Sequence, residues 1–327
     1  MINIWSWDNA FSAIGVAKHN PKLAFDQFAV IFDLQDESGL LPDFAHDQGA
    51  SFSFTKPPVH GWAIEHICQA FGPIFDGDQL AYLGNKLECQ LSYWLSHTRA
   101  SEDQLPSYAH GNDSGWDNAS FFANGGPIEG PDLPTFLVLT ARAIANIKAR
   151  QGDISGKQHF EQVGTRLVDL LVKQLWHGDR FVARKSDGTD VPAQSKSLIR
   201  FMPMLIGDGL LAEIGAKMVE DFEQSDMLTV WGPATESPSS PFYEADGYWR
   251  GPIWAPTTLL IHDGLVAQHS PELAKKVATN FVNLCEHSGM SENFDALSGE
   301  GLRDRAFAWT SAVYLRFKDI LANQSGS

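Results

Sequence analysis

Apolar residues recur along this chain mostly at spacings of three and four, the mark of helices that bury one face. The pattern runs from Asp8 to Lys18 and stops at Asn20-Pro21. Pro21, whose fixed φ suits a first helical position, opens a second helix to Leu34 with Leu23, Ala24, Phe28, Ile31 and Phe32 on one side. Pro57-Pro58 starts a third, through Gly72, and Asp76 or Asp78 caps a fourth that carries Leu80, Leu83, Leu87, Leu91 and Leu95. Further helices are predicted over Leu133–Arg150 and Ser155–Leu175, Ser195–Ile206 and Leu210–Phe222, Ile253–Ala267 and Pro271–His287, and Arg303–Ala322. Strand signal is almost absent, Phe181-Val182-Ala183 being one short candidate.

These eleven helices group into hairpins, with long loops at alternate connections: 35–56, 99–132 and an aromatic-rich stretch before Ile253. Helical pairs recurring every ~40 to 60 residues predict an all-α toroid or solenoid. Loops at alternate turns gather at one end of such a toroid, and loops this long in compact domains are usually functional. Residues 1–327 are read as a single domain.

Charge narrows the partners. A formal net charge of −16 repels phosphates, which argues against nucleic acid and anionic membrane. The three cysteines, Cys68, Cys89 and Cys285, are odd in number and widely spaced, which suits neither a disulfide framework nor a thiolate metal site. Residues 1–8 have no basic region followed by an apolar one, and no later apolar run nears the roughly 18 residues of a membrane helix. A cytoplasmic protein is expected. The 10 Trp are many for the size and cluster with Asp, Arg and Gly in predicted loops. Flat aromatic faces there can pack on the C–H faces of sugars while carboxylates and guanidinium groups take the hydroxyls; most Phe read as core.

The chemistry centres on Ser114-Gly115-Trp116-Asp117-Asn118. Breaking a glycosidic bond takes one carboxylic acid to protonate the leaving oxygen and a second carboxylate to activate water or attack the sugar. Asp117 beside Trp116 suits the acid, because an apolar wall disfavours the charged form. Glu292, in Ser291-Glu292-Asn293-Phe294-Asp295, is the candidate partner. Each stretch also has a structural reading: Gly-Trp-Asp-Asn as a turn and cap, Trp5-Ser6-Trp7-Asp8 as an N-cap at Asp8 with packed aromatics, and Lys56-Pro57-Pro58 as a helix start. The run Tyr248-Trp249-Arg250-Gly251-Pro252-Ile253-Trp254 is harder to read that way, since three aromatics around an arginine are costly to expose without a ligand. No H-E-x-x-H run, zinc-type Cys/His spacing, G-x-S-x-G elbow or phosphate-cradling loop is present, so neither metal nor cofactor is expected.

Taken in order, Trp5-Ser6-Trp7-Asp8, Gln35 with Gly39 and Pro42, Lys56-Pro57-Pro58, Gly115-Trp116-Asp117-Asn118, Tyr248 to Trp254, and Glu292-Asn293-Phe294-Asp295 with Gly299 and Phe307-Ala308-Trp309 resemble the serial motifs of glycoside hydrolase family 63 and its trehalase relatives. The resemblance spans nearly the whole chain. It implies an (α/α)6 barrel that hydrolyses α-glucosides or α-mannosides with inversion, Asp117 matching the general acid and Glu292 the general base. It further implies a sugar pocket lined by Trp7, Asp8, Trp116, Trp249 and Arg250, with Trp5, Gln35, Lys56, Tyr248, Trp254 and Trp309 in the same motifs. The glycine run with Glu-Tyr that trehalases carry near the base is replaced by Leu297-Ser298-Gly299-Glu300-Gly301, which points away from trehalose. What remains is similar to short bacterial members such as mannosylglycerate and glucosylglycerate hydrolases.

Two other classes are compatible with the same toroid: a catalytically silent carbohydrate-binding protein, and a sugar epimerase, which would want histidines at the mouth. An inverting pair should stand roughly 6.5–9.5 Å apart, leaving room for water. The expected partner is a small carbohydrate. Finally, an (α/α)6 barrel needs twelve helices and eleven are read, the missing one preceding Trp5. The Asp8–Lys18 and Arg303–Ala322 helices should then show bare apolar flanks, covered by a second copy of the chain in a homo-oligomer or by the tail Asn323–Ser327.

Overall fold

The computed structural model describes residues 3–185 and 191–325. The chain divides into two compact units, one of residues up to 115 with 133–174, the other of 116–132 with 175 onward.

The first unit holds α1 (Asp8–Ala17), α2 (Pro21–Phe32), α3 (His60–Phe71), α4 (Gly77–His97), a single turn α5 (Gly111–Ser114), and nearly all of α6 (Asp132–Arg150) and α7 (Ile154–Leu175). Its helix starts are written in the sequence. Asn20 accepts the Leu23 N–H at 3.0 Å ahead of Pro21, and Asp76 and Gln79 form a reciprocal capping box ahead of α4. The core sits where α1 packs on α2 and α3, with Phe11 against Trp62 at 5.4 Å. Helix α3 approaches α6 so closely that a methyl group on Gly61 would lie 2.5 Å from the Thr140 Cα, so only glycine fits there.

Several expectations need correction. Asp8 is not the N-cap of α1: Trp7 holds that place without a side-chain bond, and Asp8 is the first helical residue, where its charge suits the helix dipole. Leu23 is exposed on α2 rather than packed. The 35–56 loop is partly ordered as strand. Ile4–Trp5 (β1), Phe44–His46 (β2) and Gly49–Ser51 (β3) form a small antiparallel sheet in that order, Trp5 opposite Phe44. The apolar residues Phe11, Ala13, Ile14 and Ala17 of α1 are all buried, so the bare flank expected on this helix, and the reason for a self-association seam there, is not seen.

The second unit holds the antiparallel pair of β4 (Ile128–Glu129) with β5 (Arg184–Lys185), α8 (Ala212–Gln224), α9 (Ala255–Ala267), α10 (Pro271–Ser288), the hairpin of β6 (Asn293–Phe294) with β7 (Gly301–Leu302), and α11 (Ala308–Ser325). Helix α9 is buried along most of its length because a 3-10 segment, α10 and α11 all pack on it. That 3-10 segment, Leu198–Gly209, replaces the α-helix expected over 195–206. Pro203 lies inside it, where it can donate no helical bond, and Gly207 breaks it at φ +61°. The strand expected at Phe181–Ala183 begins later, as β5, with Phe181 in an isolated bridge to Trp176. The last helix starts at Ala308, not Arg303, and runs on to Ser325, so Asn323–Ser325 are helical; Gly326 and Ser327 lie outside the described residues. On it Leu315 is exposed. No helix among the described residues is long and apolar enough to cross a membrane.

Candidate active site

In the second unit Asp117 and Asn118 are the central residues of a tight turn, closed by the Ala119 N–H donating to the Trp116 carbonyl at 2.6 Å. Trp116 is buried while Asp117 is half-buried. Asn118 ties this turn to a distant loop. Its Nδ2 donates to the Gly247 carbonyl at 3.0 Å, its Oδ1 accepts the Trp249 N–H at 3.0 Å, and its own carbonyl accepts the Arg250 Nε–H at 2.7 Å. After the turn, Ser120 donates to the buried Glu236 carboxylate at 2.6 Å, and that carboxylate also accepts the Lys196 N–H at 2.8 Å. The segment carrying Asp117 is therefore pinned on both sides.

The loop reached by Asn118 is an aromatic stack. Trp249 and Trp254 lie parallel, 4.0 Å apart with 7° between planes, and Trp116 closes on Trp249 at 5.3 Å. Tyr248, at φ +63°, meets Trp254 edge-on at 5.0 Å, and its carbonyl accepts the Trp254 Nε1–H at 2.8 Å. Trp309 meets Trp254 edge-on at 5.5 Å and donates to the Glu292 carbonyl at 3.4 Å. Trp116, Trp249 and Trp254 expose at most 1% of their surface, so these rings have no open face; Tyr248 and Arg250 are half-buried.

Glu292 precedes β6, and its N–H donates to the Asp304 carbonyl at 2.7 Å. Burial raises its carboxyl above the ordinary 4.5, with the Asp304 carboxylate adding to the effect and the Asp304 N–H and Arg303 charge opposing it. Arg303 reaches three ways: Nη1 donates to Asn293 Oδ1 at 3.1 Å and lies 2.6 Å from Asp246 Oδ1, while the guanidinium sits 5.0 Å over the Tyr248 ring. Within this unit, then, the stretches carrying Asp117 and Glu292 converge on one loop, 246–254.

The first unit holds the remaining candidates. Lys56 lies under the Trp5 ring at 5.7 Å, donates to the Asn112 carbonyl at 2.9 Å and pairs with buried Asp43 at 3.3 Å. Burial raises the Asp43 carboxyl, Lys56 opposing and Asp113 adding to it. Trp7 is buried against Phe11, and Gly115, at φ +73°, sits against the Trp7 ring, where a methyl group would come within 2.9 Å. Asp8 is half-buried at the start of α1. Gln35 serves the backbone: its amide donates to the Gly39 and Lys86 carbonyls at 2.9 and 3.1 Å.

Asn118, Arg303 and Asp246 are the residues that sequence reasoning passed over as site residues. Asn118 was in plain view beside Asp117, but its partners lie about 130 positions away; Arg303 was assigned to a helix that starts five residues later. Among the described residues no group of three or more His, Cys, Asp or Glu is arranged to hold a metal ion.

The sequence matches the mannosylglycerate hydrolase MGH1-like glycoside hydrolase domain family over residues 1–310. Similar proteins include mannosylglycerate hydrolase MGH2 of Selaginella moellendorffii, 33% identical over 95% of this chain and 79% of that one. The mannosylglycerate hydrolase of Thermus thermophilus is 22% identical over 95% and 93%. A crystal structure of the GH63 mannosylglycerate hydrolase from Thermus thermophilus in complex with glucose superposes with a TM-score of 0.85, covering 96% of this chain and 92% of that one at 20% identity. That likeness places the chain in the all-α, (α/α)6 fold class that the resemblance of its motifs implied. With its matched span covering nearly the whole sequence, the chain belongs to the MGH1-like glycoside hydrolase family and is a glycoside hydrolase.

Proposed function

We propose that this protein hydrolyses an α-linked mannoside or glucoside of a small acidic aglycone such as glycerate, with inversion, Asp117 being the general acid and Glu292 the general base. The observation behind the reading is that the two stretches carrying the half-buried residues Asp117 and Glu292 meet the same aromatic loop, through Asn118 on one side and Arg303 on the other. Such a pair can divide the work: Asp117 protonates the glycosidic oxygen as the bond breaks, and Glu292 takes a proton from the water that attacks the opposite face of the sugar. Burial supports the base, because a carboxylate whose pKa is raised accepts a proton more readily.

Half-buried Trp5, Asp8, Tyr248 and Arg250 are the side chains proposed to touch the sugar. In the second unit the buried rings of Trp116, Trp249, Trp254 and Trp309 hold the 246–254 loop, and in the first unit Trp7 packs on Phe11 while Gln35 and Lys56 order the loops of that unit. The whole chain is proposed to work as one catalytic domain. The relatives' names supply the glycerate; the absence of the trehalase-type Glu-Tyr run supports setting trehalose aside.

The test is a panel of α-mannosylglycerate, α-glucosylglycerate and trehalose, run with the wild type, Asp117→Asn and Glu292→Gln. Release of sugar from at least one glycerate glycoside, falling by about 10³-fold or more in both variants, is expected for an acid–base pair. Binding without turnover by the wild type would instead fit the carbohydrate-binding reading.

A further inference from the structure

We infer that the loop Asp246–Gly251 is a clamp that sets where the two carboxylates stand, with Asn118 positioning the Asp117 turn and Arg303 positioning strand β6, which Glu292 directly precedes. This rests on the reading of Asp117 and Glu292 as acid and base. Neither Asn118 nor Arg303 touches a reacting atom in this account; each acts through its neighbour.

The geometry is reciprocal. On the acid side, three hydrogen bonds of 2.7 to 3.0 Å join Asn118 to Gly247, Trp249 and Arg250. On the base side, Arg303 spans from Asp246 and the Tyr248 ring to Asn293, the residue after Glu292. All of these contacts to the loop fall on Asp246–Arg250. The loop is itself stiff: its Glu244 N–H donates to the Arg250 carbonyl at 2.8 Å, and the Arg250 N–H donates to the Gly247 carbonyl at 3.1 Å. Gly247 and Gly251 pack where a methyl group would strike Glu244, Arg250 or Tyr243. Two residues here hold left-handed backbone without being glycine, Tyr248 at φ +63° and Arg303 at φ +59°. Such conformations are unfavourable and persist only where the surroundings over-determine them. A turn and a strand gripped by the same short loop cannot move independently, and in an inverting enzyme the water must fit between the groups they carry.

The two arms leave different signatures. An α-glycosyl fluoride expels fluoride without help from an acid, so it reports on base and water alone. Loss of the Asn118 amide displaces Asp117, and a misplacement of about 1 Å costs roughly 10²-fold. Asn118→Ala is therefore expected to lower kcat about 10²-fold on the glycoside but less than about 5-fold on the fluoride. Arg303→Met is expected to lower kcat on both substrates alike. It also moves the acidic limb of the pH–rate profile to higher pH, since the Arg303 charge opposes the burial that raises Glu292, with Asp304 the other charged group acting on it. Arg303→Lys keeps the charge, so its limb stays in place while kcat falls. Asn118→Asp, which keeps the acceptor for Trp249 but loses the donor to Gly247, stands in if the alanine variant does not fold.

Circular dichroism and melting confirm that each variant is folded. Equal losses on glycoside and fluoride for the Asn118 variant, or an unmoved limb for Arg303→Met, overturn the clamp. Full activity of Asp117→Asn and Glu292→Gln would instead overturn the catalytic reading beneath it, a separate result.

Discussion

Replacing Trp254 by phenylalanine probes the centre of the site with little change in polarity. The indole is fully buried, lies parallel to Trp249 at 4.0 Å, and gives its N–H to the Tyr248 carbonyl at 2.8 Å. Phenylalanine keeps an apolar ring but withdraws that donor, leaving the carbonyl short of a partner, at about 1–3 kcal/mol. The smaller ring also leaves a void that adds on the order of 1 kcal/mol. The expected loss is about 2–4 kcal/mol, read as a shift of the urea midpoint with an unchanged slope. Activity should fall further than stability implies, because the lost bond restrains Tyr248 at φ +63°, beside Trp249 and Arg250. A double-mutant cycle with Trp249→Leu and Trp254→Leu isolates the stack, expected to couple by about 0.5–1.5 kcal/mol. If the Phe variant lies within about 0.5 kcal/mol of wild type and keeps full turnover, the stack and its hydrogen bond do not hold this loop.

Other outcomes follow from single residues. Because the folded protein raises the Glu292 carboxyl above 4.5, its ionisation opposes folding as pH rises through the raised value. Glu292→Gln should therefore be more stable than wild type near pH 7, the difference fading at or below pH 4.5, as paired melting curves would show. His60 is buried and held neutral, its pKa lowered from 6.5 to about 4, with Nε2 bonded to the Ser6 carbonyl at 2.9 Å. The unfolded chain takes up that proton first, so stability is complete above pH 6.5 and roughly 3 kcal/mol is lost once pH has fallen through 4. His60→Gln keeps the donor and should flatten this acid slope in urea titrations. Gly39, at φ +93°, sits where a methyl group would collide with the Cys89 carbonyl on α4. Gly39→Ala should cost about 2 kcal/mol or more in thermal unfolding.

The helical architecture was legible because burial of one face fixes the spacing of apolar residues: ten of the eleven predicted segments are α-helices among the described residues, and the eleventh, over 195–206, is the 3-10 segment. Boundaries slipped where the cap is backbone alone, as at Trp7, Val59 and Leu211, which make no side-chain cap bond. The 198–209 segment misled because its apolar pattern reads as an α-helix, while Pro203 and Gly207 work against the longer bond pattern. Strands of two or three residues are too short to carry a period, so the sheet that seats Trp5 was hidden. The residue types of the site were readable from chemistry. What holds them was not: the Asn118 and Arg303 contacts pair residues whose nearness comes only from the folded loops.

The central claim, hydrolysis with inversion by Asp117 and Glu292, is tested most directly by proton NMR of the reaction on α-mannosylglycerate or α-glucosylglycerate, fast enough to beat mutarotation. The account predicts that the β-anomer of the free sugar forms first and the α-anomer grows in only later, with neither seen on the reaction time scale in Glu292→Gln. The α-anomer as first product would contradict it, placing a covalent intermediate where the account has a water.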